Sequence, residues 1–227
     1  MRSAKGEIIH IFCDVCSAES TREAVAAVLK QTDRIDVVIS NAGYGISGSV
    51  EFTGIADAEH QMDVNFMGAV RLTQAVLPQL RRQHGGRIIY TSSVAAQLPV
   101  PYQSFYSASK AAINAMALAL ANEVRPFGIS VSVMMPGDVR TGFTDARSKS
   151  TAGEEVYRSA RKAVEAMERD ERAGMRPEQM ARLFLHIATC HSPRPQYIGG
   201  LPYRVLCLLD RLLPKRFVNW IEYKVYS

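Results

Sequence analysis

The sequence predicts a three-layer α/β/α domain built around a doubly wound parallel sheet. Short segments rich in β-branched residues alternate along the chain with longer segments of helical periodicity, which is typical of βαβ units. A chain of 227 residues, 47% apolar and 22% charged, has the size and composition of one such domain. We therefore assign residues 1–227 to a single domain, with a core at 1–200 and an apolar, basic tail at 201–227.

Four short segments have the composition of buried strands. They are 7–13, 36–40, 87–92 and 128–135, and all are rich in Ile, Val and other strand-forming residues. Helical periodicity lies between and after them, at 21–30, 58–82, 106–124, 154–172 and 177–188. The helix at 106–124 is apolar almost all round, so we expect the sheet to cover one side of it and a partner subunit the other.

Polar or turn-forming residues follow each predicted strand. Asp14, Asn41, Ser93 and Pro136-Gly137 lie directly after the four segments. Because the carboxyl ends of parallel strands meet at one edge of the sheet, where ligands bind, we expect these residues to lie close together.

A phenol and an amine lie four residues apart, at Tyr106 and Lys110, thirteen residues after the hydroxyl of Ser93. On a helix, this spacing places both side chains on one face. A positive charge beside a phenol favours the phenolate, so we expect Lys110 to lower the pKa of Tyr106 from about 10 toward neutrality. Alone, such a pair is more often a solvated helix face than a catalytic one.

The order of several motifs makes the functional interpretation stronger. Asn41-Ala42-Gly43, Asn65, Ser93, Tyr106, Lys110 and the run from Pro136-Gly137 to Thr141 follow one another along the chain. Over roughly residues 7–200 the sequence resembles the short-chain dehydrogenase/reductase family in its one-domain form. The resemblance implies a Rossmann-like fold and an NAD(P)-dependent oxidoreductase that interconverts a carbonyl and a secondary alcohol by hydride transfer.

The resemblance also implies roles for four catalytic residues. Tyr106 would act as the general acid or base, and Lys110 would lower its pKa and bind the nicotinamide ribose. Ser93 would polarise the carbonyl, and Asn65 would hold a water that relays protons to Lys110.

The resemblance implies a cofactor site at the same edge of the sheet. Its predicted residues, besides Tyr106 and Lys110, are Asp14 and Val15 at the adenine, Asn41, Ala42 and Gly43 along the adenosine side, and Pro136, Gly137, Val139 and Thr141 toward the nicotinamide. NADP is favoured over NAD, because the Asn-Ala-Gly-Tyr-Gly sequence and the tail resemble those of steroid- and retinol-type reductases.

One family element has no counterpart in the sequence. The Thr-Gly-x-x-x-Gly-x-Gly turn, which binds the pyrophosphate at a helix N-terminus, is missing, and Gly6 is the only glycine before Gly43. We therefore expect an N-terminally truncated or mis-started product that lacks two strands and two helices, roughly 40 to 50 residues. Cofactor affinity would then be compromised. Two alternatives follow: a non-catalytic relative serving as a binding or dimerisation module, and a related epimerase or dehydratase, which the Asn-Ala-Gly and Pro-Gly-x-x-x-Thr motifs disfavour.

Composition limits the partners. A scattered net charge of +5 favours a small molecule, in our interpretation an apolar carbonyl or alcohol, over nucleic acid. Cys13 and Cys16 form a CxxC, but no second ligand pair accompanies it, so we expect no metal site. Four cysteines and no recognisable signal peptide favour the cytoplasm.

Two further expectations concern association. The resemblance implies a homodimer or homotetramer, formed through the helices at 62–82 and 106–124. The tail interleaves apolar residues with Arg and Lys. It could close the substrate pocket or pack on a partner subunit, which its dispersed basic residues favour, or it could lie on a membrane surface.

Overall fold

A computed structural model describes residues 6–226 and contains a parallel sheet between helical layers. In chain order its elements are α1 (Ala18–Gln31), β1 (Val37–Ser40), β2 (Ile46–Ser47), α2 (Ile55–Met62), a π-helical turn (Asp63–Met67), α3 (Gly68–Arg82), β3 (Gly86–Thr91), a 3₁₀ turn (Val94–Ala96), α4 (Ser104–Glu123), a second 3₁₀ turn (Arg125–Phe127), β4 (Ile129–Pro136), β5 (Ser148–Lys149), α5 (Ala160–Ala173), α6 (Pro177–Thr189), β6 (Gln196–Gly199), α7 (Leu201–Leu212) and α8 (Lys215–Tyr226).

The central sheet has the strand order β1-β3-β4-β6, and all of its pairings are parallel. Its two middle strands form the core: Ile88 and Ile89 of β3 and Val133 and Met134 of β4 are at most 1% exposed. Continuous apolar strands of this kind occur where helices cover both faces of a sheet. The predicted α/β fold with a parallel sheet is confirmed. The short strands β2 and β5, which the sequence did not indicate, pair with each other outside this sheet.

The predicted helices are present, with two differences. The segment predicted as one helix over 58–82 is divided by the π-helical turn Asp63–Met67, which contains the buried Asn65. The helix predicted over 154–172 begins only at Ala160, because residues 154–159 form turns that follow Gly153 in a left-handed conformation (φ 77°).

The strand predicted over residues 7–13 is wrong. This segment has no regular structure, and the side chains of Ile8 and Phe12 are 84% and 85% exposed. A strand exists only where a neighbour accepts its backbone hydrogen bonds, and within residues 6–226 β1 pairs with β3 alone. Asp14 therefore follows an irregular segment instead of a strand.

The tail is more ordered than its sequence suggested. Residues 201–226 form the two helices α7 and α8, connected at Leu213-Pro214. The sequence shows no clear helical period in this region, because apolar residues occur on both the exposed and the buried sides of the two helices. Among residues 6–226, no helix combines the length and the apolar character needed to cross a bilayer.

Candidate active site

A cavity of about 520 Å³ lies at the carboxyl ends of β1, β3 and β4. Its size is within the range of small-molecule sites. The residues predicted at the strand ends meet there as expected, apart from Asp14. Of the predicted site residues, the cavity wall contains Asn41, Gly43, Ser93, Tyr106, Lys110, Pro136, Gly137, Val139 and Thr141.

Lys110 is a buried cation at the cavity wall. The side chain is 4% exposed, and its Nζ donates a hydrogen bond to the carbonyl oxygen of Thr91 at 2.9 Å. No carboxylate among residues 6–226 forms an ion pair with it. Burial without a counter-charge disfavours the ammonium form and lowers the pKa of Lys110 to about 8.

Tyr106 lies one turn before Lys110 on α4, and the Lys110 Nζ is 5.8 Å from the centre of its ring. Burial raises the pKa of Tyr106 to about 12, and a hydrogen bond from Ser93 only partly offsets this effect. The expectation that Lys110 lowers this pKa toward neutrality is therefore wrong for this structure. Desolvation of the phenolate dominates, because the ammonium group is directed at Thr91 instead of at the phenol oxygen.

Ser93 reaches the cavity because β3 ends two residues before it. Its backbone is extended (φ −159°, ψ 157°), and its Oγ accepts a hydrogen bond from the backbone N–H of Ala95 at 3.1 Å, which caps the following 3₁₀ turn. The acceptor side of the Ser93 hydroxyl is therefore used as a turn cap. The hydroxyl proton remains available toward Tyr106.

Asn65 lies behind the cavity wall, where it connects three segments. Its Oδ1 accepts from the Tyr44 backbone N–H at 2.9 Å, and its Nδ2 donates to the Tyr44 carbonyl oxygen at 2.9 Å and to Ser109 Oγ at 3.0 Å. Gly43 closes this arrangement, because a Cβ there would lie 3.0 Å from Asn65 Oδ1 and 3.2 Å from Lys110 Nζ. The π-helical turn therefore directs Asn65 toward the loop after β1 and toward α4.

The loop after β4 is covered by the first turns of α7. The ring of Tyr203 packs directly on Gly137, where an added Cβ would lie 2.0 Å from Tyr203 Cδ2. The Tyr203 hydroxyl donates to the carboxylate of Asp138. Burial raises the pKa of Asp138 despite this hydrogen bond. Tyr226 of α8 also lines the cavity.

A buried ion pair forms the wall on the side of α5. Arg147 pairs with Glu171, whose second oxygen accepts from Thr144 Oγ1 at 2.7 Å. The guanidinium of Arg147 lies 5.5 Å from the ring of Phe143, and this ring lies 5.5 Å from that of Tyr106. The ion pair thus holds an aromatic side chain against the phenol.

Four predicted site residues lie outside the cavity wall: Asp14, Val15, Ala42 and Asn65. Asp14 Oδ1 accepts from the Cys16 backbone N–H at 2.9 Å, and the Val15 carbonyl oxygen accepts from Arg71 at 3.0 Å. These contacts are those of a turn before α1.

Sequence reasoning missed the residues that narrow the cavity. Asp138 was part of a recognised motif, but its role was not predicted. Other missed wall residues come from the segment after Thr141, from α5 and α6, and from α8: Phe143, Met167, Asp170, Glu171, Met180, Phe184 and Tyr226. The apolar spacing in α5 and α6 could have indicated Met167, Met180 and Phe184. No local pattern indicates the others.

The cavity fits the nicotinamide end of a dinucleotide. Lys110 is a buried ammonium group with one protein acceptor, and Gly43 leaves room beside it that a side chain would fill. Thr141 and Asn41 add polar side chains along the same wall.

No group of three or more metal-ligating side chains is close enough to hold an ion within residues 6–226. The four cysteines are free thiols. Burial, with the nearby Asp63, raises the pKa of Cys16, which is the opposite of the shift that makes a thiol reactive.

The structure is thus a parallel α/β domain with a serine hydroxyl, a phenol and a buried lysine at one cavity, at the carboxyl ends of its strands. Comparison with known proteins specifies the family. Residues 1–170 match the short chain dehydrogenase family, and the chain belongs to it.

The relatives support the same conclusion. The 3-ketodihydrosphingosine reductase of Bacteroides thetaiotaomicron is 39% identical over 191 residues, covering 83% of this chain and 71% of that protein. The oxidoreductase YbbO of Escherichia coli is 32% identical over 212 residues, with 93% and 76% covered. These relatives are named as oxidoreductases.

Solved structures agree in fold. A short chain dehydrogenase/reductase from Burkholderia phymatum in complex with NAD superimposes with a TM-score of 0.78 at 25% identity, covering 92% of this chain and 76% of that one. A short-chain dehydrogenase from Streptomyces avermitilis gives 0.77 at 29% identity, with 89% and 73% covered.

Proposed function

We propose that the protein is an NAD(P)-dependent oxidoreductase that interconverts an apolar carbonyl compound and the corresponding secondary alcohol. The observation that supports this most directly is the convergence of Ser93, Tyr106 and Lys110 on one cavity. A nicotinamide cofactor, when bound, supplies or accepts the hydride. NADP is the favoured form, as the resemblance to steroid- and retinol-type reductases suggests.

Tyr106 holds the proton that the reaction needs. Because burial raises its pKa to about 12, the phenol is protonated at neutral pH and donates to the carbonyl oxygen during reduction. The Ser93 hydroxyl donates a second hydrogen bond to the same oxygen. Such general acid catalysis typically contributes about 10²–10⁴-fold to the rate.

Lys110 and Asn65 prepare the proton donor. With a pKa of about 8, Lys110 is mostly protonated at pH 7 and binds the ribose hydroxyls of the cofactor. Asn65 orients the loop at Tyr44 and the helix at Ser109, and the family resemblance supports a role for it in returning protons to Lys110 through a bound water.

The cavity wall suggests the substrate class. Apolar side chains from three segments after Thr141, namely Phe143, Met167 and Phe184, face the site. One relative is named for the reduction of 3-ketodihydrosphingosine. A carbonyl compound with an apolar chain is the substrate class that best matches this wall.

Cofactor titration by calorimetry tests the proposal, with NADPH and NADH added to the wild-type chain and to Tyr106→Phe. We expect micromolar binding to both chains and turnover of apolar ketones by the wild type only. Loss of turnover by at least about 100-fold in Tyr106→Phe, with binding retained, identifies Tyr106 as the acid.

The non-catalytic alternative gives a different result in the same experiment. A folded chain that binds neither cofactor and turns over no ketone would act as a binding or dimerisation module instead. We also propose a homo-oligomer formed through α3 and α4. The helix α4 is apolar almost all round, and its Leu118 is 40% exposed in the single chain, as expected for a residue that a partner subunit covers. A light-scattering mass of one chain would reject this assembly.

A further inference from the structure

Most apolar side chains of α7 and α8 are exposed instead of buried. On α7 the buried residues are Cys207 and Asp210, at 1% and 6% exposure, whereas Leu201 and Leu212 are 72% and 71% exposed. The exposed apolar residues of the two helices are Leu201, Val205, Leu206, Leu208, Leu209, Leu212, Phe217, Trp220, Ile221, Tyr223 and Val225. We call this set the hairpin surface.

Four of the exposed residues of α7 follow helical spacing. Leu201, Val205, Leu208 and Leu212 are separated by four, three and four residues, which places them in one stripe along α7. On α8 the rings of Phe217 and Trp220 stack at 6.0 Å. A contiguous apolar face of this kind marks an interaction site.

Polar contacts fix the hairpin in this orientation. Gln97 Nε2 donates to the Cys207 carbonyl oxygen at 2.8 Å and to the Asp210 carboxylate at 3.2 Å, and Lys215 pairs with the same carboxylate at 2.5 Å. Rotating α7 to bury its leucines would break these bonds and expose Tyr203, which packs on Gly137. The outward direction of the leucines is therefore built into the fold.

The charges beside the hairpin surface are positive. Residues 201–226 contain five basic residues, at 204, 211, 215, 216 and 224, and two acidic ones, Asp210 and Glu222. Both acids point inward, since Asp210 is buried and Glu222 is half-buried, while Arg211 and Arg216 are exposed and form no ion pair with residues 6–226. The outer side of the hairpin is thus apolar and cationic.

We propose that the hairpin surface docks the protein on an anionic lipid bilayer. Leucine and tryptophan side chains enter the interfacial region, and arginine and lysine face the lipid phosphates. With twelve residues each, α7 and α8 lie along the surface, because a helix that crosses a bilayer needs about 20. A second copy of the chain fits less well, since a two-fold contact would bring two sets of basic residues together. The proposal does not depend on the reductase activity.

Co-sedimentation with vesicles tests the proposal. The chain is mixed with vesicles of phosphatidylcholine alone and of phosphatidylcholine with phosphatidylglycerol in equal parts. We expect binding to the anionic vesicles, weakened by salt. The triple variant Leu208→Gln/Leu212→Gln/Trp220→Gln should lower partitioning by at least about tenfold, because each of these side chains contributes up to about that factor on leaving water.

The charges have a separate test. Arg211→Gln/Arg216→Gln should lower binding to anionic vesicles by about tenfold or more and leave binding to neutral vesicles unchanged, since each basic residue contributes about fivefold near an anionic surface. Leu185→Gln is the matched control, because Leu185 is 62% exposed on α6 and should not affect binding.

Three results would overturn the proposal: no sedimentation of the folded wild type with anionic vesicles, equal losses in the triple variant and in Leu185→Gln, or a dimer that the triple variant converts to a monomer while vesicle binding stays constant. The last result would assign the hairpin surface to a second copy. Because all substituted side chains are exposed, circular dichroism and thermal unfolding should be unchanged in every variant.

Discussion

Replacing Lys110 with methionine should make the protein more stable at neutral pH while removing its activity. The native pKa of about 8, against 10.5 in the reference state, means that folding disfavours the ammonium form. One pKa unit corresponds to about 1.4 kcal/mol. At pH 7, below both values, the buried ammonium thus costs on the order of 3 kcal/mol of unfolding free energy.

The sign and pH dependence follow from proton linkage. The folded pKa is lowered, so between about pH 8 and pH 10.5 the unfolded chain binds more protons than the native one, and native stability rises with pH in that window. The cost is present in full below about pH 8 and is lost above about 10.5. Methionine also loses the hydrogen bond from the ammonium group to Thr91, worth about 1.5 kcal/mol for a charged donor, which leaves a net gain of about 2 kcal/mol at pH 7 and close to zero at pH 9.5.

Urea unfolding followed by circular dichroism at pH 7 and at pH 9.5 measures both values. Lys30→Met, at an exposed position on α1, is the matched control and should change stability by less than about 0.5 kcal/mol at either pH. A Lys110→Met chain that is less stable than the wild type at pH 7 would refute the reasoning. So would a stability difference that is the same at both pH values.

Three further substitutions test the packing of the site. Gly137→Ala should displace α7, because its Cβ would overlap the Tyr203 ring. Both the melting temperature and the cofactor affinity should fall. The second substitution Tyr203→Ala should restore part of both, and the absence of any rescue would contradict this packing. Asn65→Ala should cost about 2–4 kcal/mol of unfolding free energy, because three hydrogen bonds are lost and buried groups stay unpaired; a loss below about 1 kcal/mol in urea unfolding would contradict it. Arg147→Met should lower the free energy of unfolding by about 3–5 kcal/mol, because it leaves the charge of Glu171 buried without its partner. The double variant Arg147→Met/Glu171→Gln should recover much of that loss in the same urea unfolding assay.

The sequence predicted the part of the site that depends on chain order. Asn41, Ser93 and Pro136 lie at the ends of strands that are rich in Ile and Val. A parallel sheet brings the ends of such strands together. Helical spacing places Tyr106 and Lys110 on one face, and the order of the surrounding motifs indicates that this face is functional. These residues could be predicted because the strand and helix periods are local properties of the sequence, and the alternation of strands and helices indicates a parallel sheet.

Other features depend on contacts that local pattern does not contain. Residues 7–13 have strand composition but form no strand, because no neighbour accepts their hydrogen bonds in the part of the chain that the structure describes. The pKa of Tyr106 was predicted with the wrong sign, since spacing reveals the nearby cation but not the burial that outweighs it. Tyr203 and Tyr226 were missed, because a tail with apolar residues on both sides shows no clear period.

Tyr203 and Tyr226 also have a consequence for the way this enzyme fold can diversify. Every residue to which we assign proton transfer lies between Asn65 and Lys110, whereas both tyrosines come from beyond residue 200: Tyr226 lines the cavity and Tyr203 packs on Gly137 beside it. One side of the cavity and the proposed proton-transfer groups therefore belong to separate stretches of the chain. We expect that exchanging residues 201–226 for those of a relative alters the packing on Gly137 and the Tyr226 side of the cavity, while Ser93, Tyr106 and Lys110 stay in place.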